Sequence, residues 1–413
     1  MNIGPIFRAM KHNRTRVILL VLEIALTLAI VTNCINVIIA ERAKINRPSG
    51  FDDDNLLWVR TRPFSPEFRE DATVNVTADA DVRALESIPG VRAAASTSFR
   101  LWEGGGSSTK VRPVTGGAPQ STQSYFGTKD IFATLGSRVV AGRAFREGDH
   151  GIGTQDDPLR VAVITKTLAD ALFPDGQAVG KTIVRTSDSG EANGDPVVVV
   201  GVIERFFNPY GMNADMWSGL ADRAMFRPAR VGSYSNGLRY LVRTEPGKMA
   251  SVMKEAEKRL ISVNPGRVVE FQPTPEKKAR WFATSRLTVG VMSGVIVALV
   301  FVTALGILGI TGLSVSERTK QIGTRRALGA TRADILRYFL IENWLTTTAG
   351  LVLGTVGAYA LNFLLVSHVT DVKLQWPLVA FGVLLLWING LVATLPPALR
   401  ATRLSPSIAT RSV

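Results

Sequence analysis

The side chains able to do chemistry are few in this sequence, and they are poorly spaced for it. Three histidines, His12, His150 and His368, and a single cysteine, Cys34, are the only imidazole and thiol groups in 413 residues. A zinc site needs several such ligands at short spacings, and a histidine base needs a reacting or orienting partner; none of the four has one nearby in sequence. One cysteine cannot close an intramolecular disulfide. Residues 176–182 read GQAVGKT, which ends like a phosphate-cradling loop, but that loop needs a glycine five residues before its last one, and position 175 is Asp. The expected structure there is a turn leading into a strand from Thr182 to Arg185. No G-x-S-x-G elbow occurs either. The sequence therefore points away from an enzyme, and no metal or cofactor is expected on this chain.

The chemistry that does stand out is electrostatic. The chain carries 48 Lys and Arg against 34 Asp and Glu, a net charge of +14, with a mean hydropathy of +0.17 and 46% hydrophobic residues. A charge of this size fits nucleic acid, but its distribution does not. Residues 41–280 hold 33 basic against 29 acidic residues, leaving 15 against 5 for the rest. The excess flanks apolar runs, where it acts as a topology signal for a membrane protein.

Four runs are long and apolar enough to cross a bilayer whose hydrocarbon core is roughly 30 Å thick: residues 17–40, 281–313 (its apolar part from Leu287), 339–366 and 376–395. Arg8, Lys11, Arg14 and Arg16 precede the first. Arg318, Lys320, Arg325, Arg326, Arg332 and Arg337 separate the second from the third, and Arg400, Arg403 and Arg411 follow the fourth. The positive-inside rule then makes residues 1–16, 314–338 and 396–413 cytoplasmic, and residues 41–280 and 367–375 extracytoplasmic. The expected fold is a membrane protein with four transmembrane α-helices, one N-terminal and three C-terminal, and an extracytoplasmic domain inserted between helices 1 and 2. The first run is about twice the usual length of a signal-peptide core and has no small-x-small cleavage pattern, so it is expected to stay. Lipidation of Cys34 is not expected, because Asn33 occupies the place of a small residue.

Within residues 41–280, β-type runs (Leu56 to Arg60, Arg160 to Ile164, Val197 to Ile203, Tyr240 to Arg243) alternate with helical ones (Ala80 to Ile88, Lys166 to Leu172, Lys248 to Val263), an α+β pattern. Asp79 is the expected N-cap of the first helix, with Pro89-Gly90 as its stop. Gly104 to Thr109 and Ser187 to Gly194 read as exposed loops.

The gap between the second and third runs has its own design. Ile322, Leu328 and Ile335 are spaced as an apolar stripe among Arg318, Arg325, Arg326 and Arg332, with Gly329 as a break or cap. Such an element suits docking into a groove on a cytoplasmic partner, although a basic loop resting on lipid headgroups would satisfy the same pattern. The third run holds Gly350, Gly354 and Gly357, small residues that suit close helix contact either within the chain or with a second copy. Glu23 and Glu342 lie inside apolar runs near their cytoplasmic ends and are expected to snorkel or to pair with nearby arginines.

Residues 316–358, SERTKQIGTRRALGATRADILRYFLIENWLTTTAGLVLGTVGA, resemble the signature of FtsX-like permease domains, E-R-x-x-E-I-G-x-x-R-A-L-G-A leading into a glycine-rich span. Gln321 departs from it, standing where an acidic residue is usual. The ending LPPALRATRLSPSIA resembles the same family's terminal pattern, and VRALESIPGV, YFGTKDIFATLGSRVVAGRAF and VAVITKTLADALFPDGQAVGKTIV resemble the outer domain of MacB-like permeases. The resemblance implies a permease subunit of an ABC transporter in the bacterial inner membrane, passing ATPase-driven motion outward for export or extraction of a substrate. The coupling residues it implies are Glu317, Arg318, Gln321, Ile322, Gly323, Arg325, Arg326, Ala327, Leu328, Gly329, Ala330 and Ile335. Implied partners are an ABC ATPase, which would hold ATP and Mg, a second permease copy or paralogue, and in an efflux system a membrane-fusion protein. The alternative is an FtsX-like regulatory subunit that controls an extracytoplasmic hydrolase or sensor without transport. No Walker A loop appears in these residues, so the work is expected to come from a separate subunit.

Overall fold

The computed structural model describes residues 14–64, 71–103, 107–151, 159–187, 190–207, 209, 222–229, 237–368 and 373–403. They form two compact units, residues 47–283 and the flanking segments 1–46 with 284–413. Helix α1 (Arg14–Ile45) opens the flanking unit.

The inserted unit has two lobes. In chain order it runs β1 (Leu56–Pro63), α2 (Asp71–Glu86), β2 (Val91–Ser96), β3 (Ser107–Pro113), β4 (Gln120–Gly127), α3 (Ile131–Leu135), β5 (Val139–Gly142), β6 (Val161–Thr165), α4 (Lys166–Leu172), β7 (Thr182–Thr186), β8 (Val197–Ile203), β9 (Ala224–Pro228), β10 (Leu238–Thr244), α5 (Met249–Val263), β11 (Arg267–Pro273) and α6 (Thr274–Trp281). The first lobe is an antiparallel sheet in the order β11-β1-β10-β2. Leu57 and Val59 of β1 share its core with Val74, Ala78 and Leu85 of α2 and with Val252, Ala256 and Leu260 of α5, apolar positions at helical spacing. The core also encloses a fully buried ion pair. Asp81 accepts from Arg267 at 2.7 Å and from the Tyr240 hydroxyl at 2.5 Å, so the charge is both paired and hydrogen-bonded.

The second lobe is a mixed sheet in the order β5-β8-β6-β9-β4-β3-β7, in which β7 also pairs with β8 and so bends the sheet back on itself. Leu168, Ala169 and Leu172 of α4 cover one side of it. Phe99, Tyr125, Phe206 and Phe226 meet at centroid distances of 4.9–5.9 Å, edge to face in every pair but the tilted Tyr125–Phe226. Nearby, Asp53 gathers donors from three separate segments: Trp102 Nε1 at 2.7 Å, Ser49 Oγ at 2.8 Å and Lys278 Nζ at 2.8 Å. Trp102 has φ +58°, a conformation a bulky residue adopts only when its surroundings hold it there.

After α6 come α7 (Ala283–Glu317), α8 (Thr319–Ala327), α9 (Arg332–His368) and α10 (Trp376–Thr402). By length and composition α1, α7, α9 and α10 can each cross a membrane. The α+β architecture and the placing of one helix before and three after the inserted domain agree with the sequence. The details differ in three places. All four helices run past the predicted apolar limits, because their polar ends stay helical beyond the hydrocarbon layer; α10 continues through Pro396 and Pro397. Helix α2 begins at Asp71, not at an Asp79 cap, since Val74 and Ala78 extend its buried face toward the N-terminus. Ser107–Thr109 belong to strand β3, paired with β4, and not to an exposed loop, while 104–106 lie outside the described residues. The GQAVGKT segment is a turn into β7, with Gly176 and Gly180 at positive φ and Lys181 bonded to Asp175 at 2.5 Å.

Candidate functional site

The segment joining α7 to α9 is built from the inside out. Ile322 and Ile335 enter a small core with Val315, Phe339, Ala398 and Ala401, so α7, α8, α9 and α10 meet at one point. Around that core, charged groups tie the helix ends together. Arg318 gives Glu342 two hydrogen bonds, at 2.9 and 3.2 Å, and a third to the Tyr338 hydroxyl at 3.1 Å. Fork geometry of this kind fixes direction as well as distance. Arg325 lies 5.1 Å from the Tyr338 ring centroid. Glu317 accepts from Arg16 of α1 at 2.8 Å, and Arg326 donates to the Thr402 carbonyl of α10 at 3.2 Å.

Outside this layer, α8 ends abruptly. Gly329 has φ +99°, and the Ala330 amide bonds back to the Arg325 carbonyl at 3.0 Å. Helix α9 then starts with a reciprocal cap: the Thr331 amide donates to Asp334 at 3.0 Å, and the Asp334 amide donates to Thr331 Oγ1 at 3.2 Å. Between these two devices Leu328 stands 83% exposed.

The predicted residues therefore divide into four groups. Ile322, Gly323 and Ile335 are buried; Glu317 and Arg318 point to α1 and α9; Arg326 and Ala330 are half-buried; and Gln321, Arg325, Ala327, Leu328 and Gly329 are exposed. The expected single stripe does not form. Leu328 leaves it because the chain turns at Gly329, so the positions on either side no longer share a helical face. Sequence reasoning missed Arg16, Tyr338 and Thr402 as members of the site. Their partners lie far away in the chain, but the Thr331-x-x-Asp334 box was legible.

Gly350, Gly354 and Gly357 lie against α1. A β-carbon at Gly350 would stand 2.8 Å from Ile24, one at Gly354 2.8 Å from the Ala25 carbonyl, and one at Gly357 3.5 Å from Ala29. Of the two uses left open by the sequence, the structure shows packing within the chain. The two intramembrane carboxylates also part company. Glu342 pairs with Arg318 as expected, whereas Glu23 rests on Gly306 of α7 with no arginine beside it among the described residues. No group of three or more His, Cys, Asp or Glu able to hold a metal occurs among the described residues.

A membrane bundle interrupted after its first helix by a two-lobed α+β domain defines a class of permease. The profile of the MacB-like periplasmic core domain matches residues 18–259, more than half the chain, and that of the FtsX-like permease C-terminal domain matches residues 293–406. The chain belongs to this MacB/FtsX-like family of ABC transporter permeases, multi-pass proteins of the bacterial inner membrane. It is 27% identical over 288 residues to the macrolide export ATP-binding/permease protein MacB of Chromobacterium violaceum, covering 67% of this chain and 41% of that protein. Against MacB of Azoarcus it is 27% identical, covering 98% of this chain and 58% of the other. Against the uncharacterized ABC transporter permease YknZ of Bacillus subtilis the identity is 27%, covering 80% and 78%. The chain thus spans about half the length of the MacB relatives it matches.

Proposed function

We propose that this chain is the membrane subunit that receives work from an ABC ATPase and delivers it to the inserted domain, for export or extraction of a substrate. In this reading the basic flanks place the α7–α9 connection in the cytoplasm and residues 41–280 outside. ATP and Mg would be held by the ATPase, two permease copies or paralogues would assemble with it, and closure of the ATPase would push on α8. The observation that carries the reading is Leu328. A large apolar side chain, 83% exposed beside the exposed Arg325 and Arg332, suits insertion into a hydrophobic pocket with an acidic rim. The layer behind it supports the same reading, because Arg16, Arg318 and Arg326 bond the helix ends to one another, so a push on α8 reaches α1, α7, α9 and α10 together.

The test is double replacement, Ala327→Asp with Leu328→Asp. Both positions are exposed, so the chain should still insert and keep its unfolding midpoint, while copurification with the ATPase and stimulation of its activity fall by about tenfold or more. Wild-type copurification and ATPase stimulation in the double variant would refute the docking role.

A further inference from the structure

A cavity of about 40 Å³ lies between α1, α7 and α9, and the docking scheme makes no use of it. It is lined by Arg16 and Leu20 of α1, Ile310 of α7, Arg318 at the α7–α8 junction, and Glu342 and Asn343 of α9. Space of this size holds one ammonium-sized group or about three waters. Arg16 and Arg318 flank the apolar stretches of α1 and α7, which sets the cavity at the level of the lipid headgroups. Next in sequence to lining residues, Ile18 and Leu19 of α1 and Leu313 of α7 are more than half exposed, so acyl chains cover the adjoining helix surfaces.

The lining presents acceptors and donors together. Asn343 is only 6% exposed, and its Nδ2 donates to the Gly390 carbonyl of α10 at 3.0 Å. The amide oxygen, which diverges from that nitrogen, has no partner among the described residues. A buried acceptor left in this way is costly, and a donor from outside the chain relieves the cost. Glu342 adds two oxygens, each taking one bond from Arg318 and each able to accept another. On the donor side, Arg16 spends one of its five N–H groups on Glu317 among the described residues. Arg16 and Arg318 together balance Glu317 and Glu342, so the site carries no net charge.

We infer that the cavity receives the amine of a zwitterionic phospholipid headgroup: the primary ammonium gives its N–H groups to Asn343 Oδ1 and Glu342, and the phosphate meets Arg16. Size, charge and depth select it together. A trimethylated choline has no N–H to give. A purely anionic headgroup brings no cation to Glu342, and a neutral site does not attract it. A soluble amine lacks the acyl chains that the neighbouring helix surfaces accept. The site stands apart from ATPase docking, and its measurement includes no ATPase.

The test measures retention of radiolabelled lipids by the full chain in dodecyl maltoside. The probes are phosphatidylethanolamine, its N-methyl and N,N-dimethyl derivatives, phosphatidylcholine and phosphatidylglycerol, all with the same acyl chains. Saturable retention of phosphatidylethanolamine is expected, falling along the methylation series, with phosphatidylcholine and phosphatidylglycerol about tenfold or more weaker. Ser314→Leu lengthens a lining side chain into the cavity and leaves the charged groups in place, so it should abolish the preference for the primary amine. Asn343→Leu, similar in size but without the acceptor, should do the same. Equal retention of phosphatidylethanolamine and phosphatidylcholine by the wild type overturns the assignment, as does a preference for phosphatidylglycerol. A preference that survives either variant in folded protein places the lipid elsewhere and overturns it too. So does the lack of any saturable retention, which would leave the cavity to water.

Discussion

Helices α1 and α7 look alike as sequences, since each is a long apolar run that crosses the membrane once and connects to the inserted domain. In the structure they differ sharply: 56% of the most apolar stretch of α1 is buried, against 11% of that of α7. The cause lies on other helices. Gly350 and Gly354 of α9 let α1 approach backbone to backbone, and Leu28 and Thr32 of α1 fill the groove at Gly382 of α10. The glycines of α7 at 290, 294, 309 and 312 have nothing within 4 Å of where a β-carbon would be. One span is thus the centre of the bundle and the other its most exposed member. The exposed helix is also the one that runs directly from α6 into the segment joining it to α9, which the proposed function makes the docking element.

The contrast can be broken at the glycines. Gly354→Leu forces a side chain into the Ala25 carbonyl and Leu28, and should destabilise the full chain by about 3 kcal/mol. Gly294→Leu on α7 should change it by no more than about 0.5 kcal/mol. Unfolding in bicelles by added dodecyl sulfate measures both, and equal losses would show that α1 and α7 are packed alike. Truncation gives a smaller effect of the same sign. Ile24→Ala removes a side chain that is 1% exposed and should cost about 2 kcal/mol, while Phe301→Ala, on the lipid side of α7, should cost about 0.5 kcal/mol or less. The smallest effect sharpens the view of how α7 is held. Thr27→Val deletes the hydroxyl pair with Thr303 and should cost about 0.6 kcal/mol, with no further loss on adding Thr303→Val. A double variant that loses twice as much would mean the two hydroxyls act separately.

Legibility varied with the range of the interaction. Strands β6 and β8 and helices α4 and α5 were readable to within one or two residues, because alternation, helical periodicity and turn residues are local. The eight residues of α2 before Asp79 were not, since its polar, β-branched start becomes helical only when Val74 meets the sheet. In the candidate site the signature residues were found, but their division was not. Ile322 and Leu328 are equally apolar in sequence, and Glu317 and Arg318 are adjacent, yet each member of these pairs faces a different neighbour. The equivalence of Glu23 and Glu342 failed for the same reason: Arg318 can reach only one of them.

By itself the sequence determined how many helices cross the membrane, where the basic segments lie and that a folded domain interrupts the bundle. Those properties follow from hydropathy and charge summed along the chain, which lipid and water read without reference to other elements. Only the tertiary structure decided that α1 and not α7 fills the centre, that Leu328 is left outside while Ile322 is taken in, and that Glu23, unlike Glu342, pairs with no arginine among the described residues. Each of those depends on rotation about a helix axis, and rotation is set by side chains brought together from hundreds of residues apart.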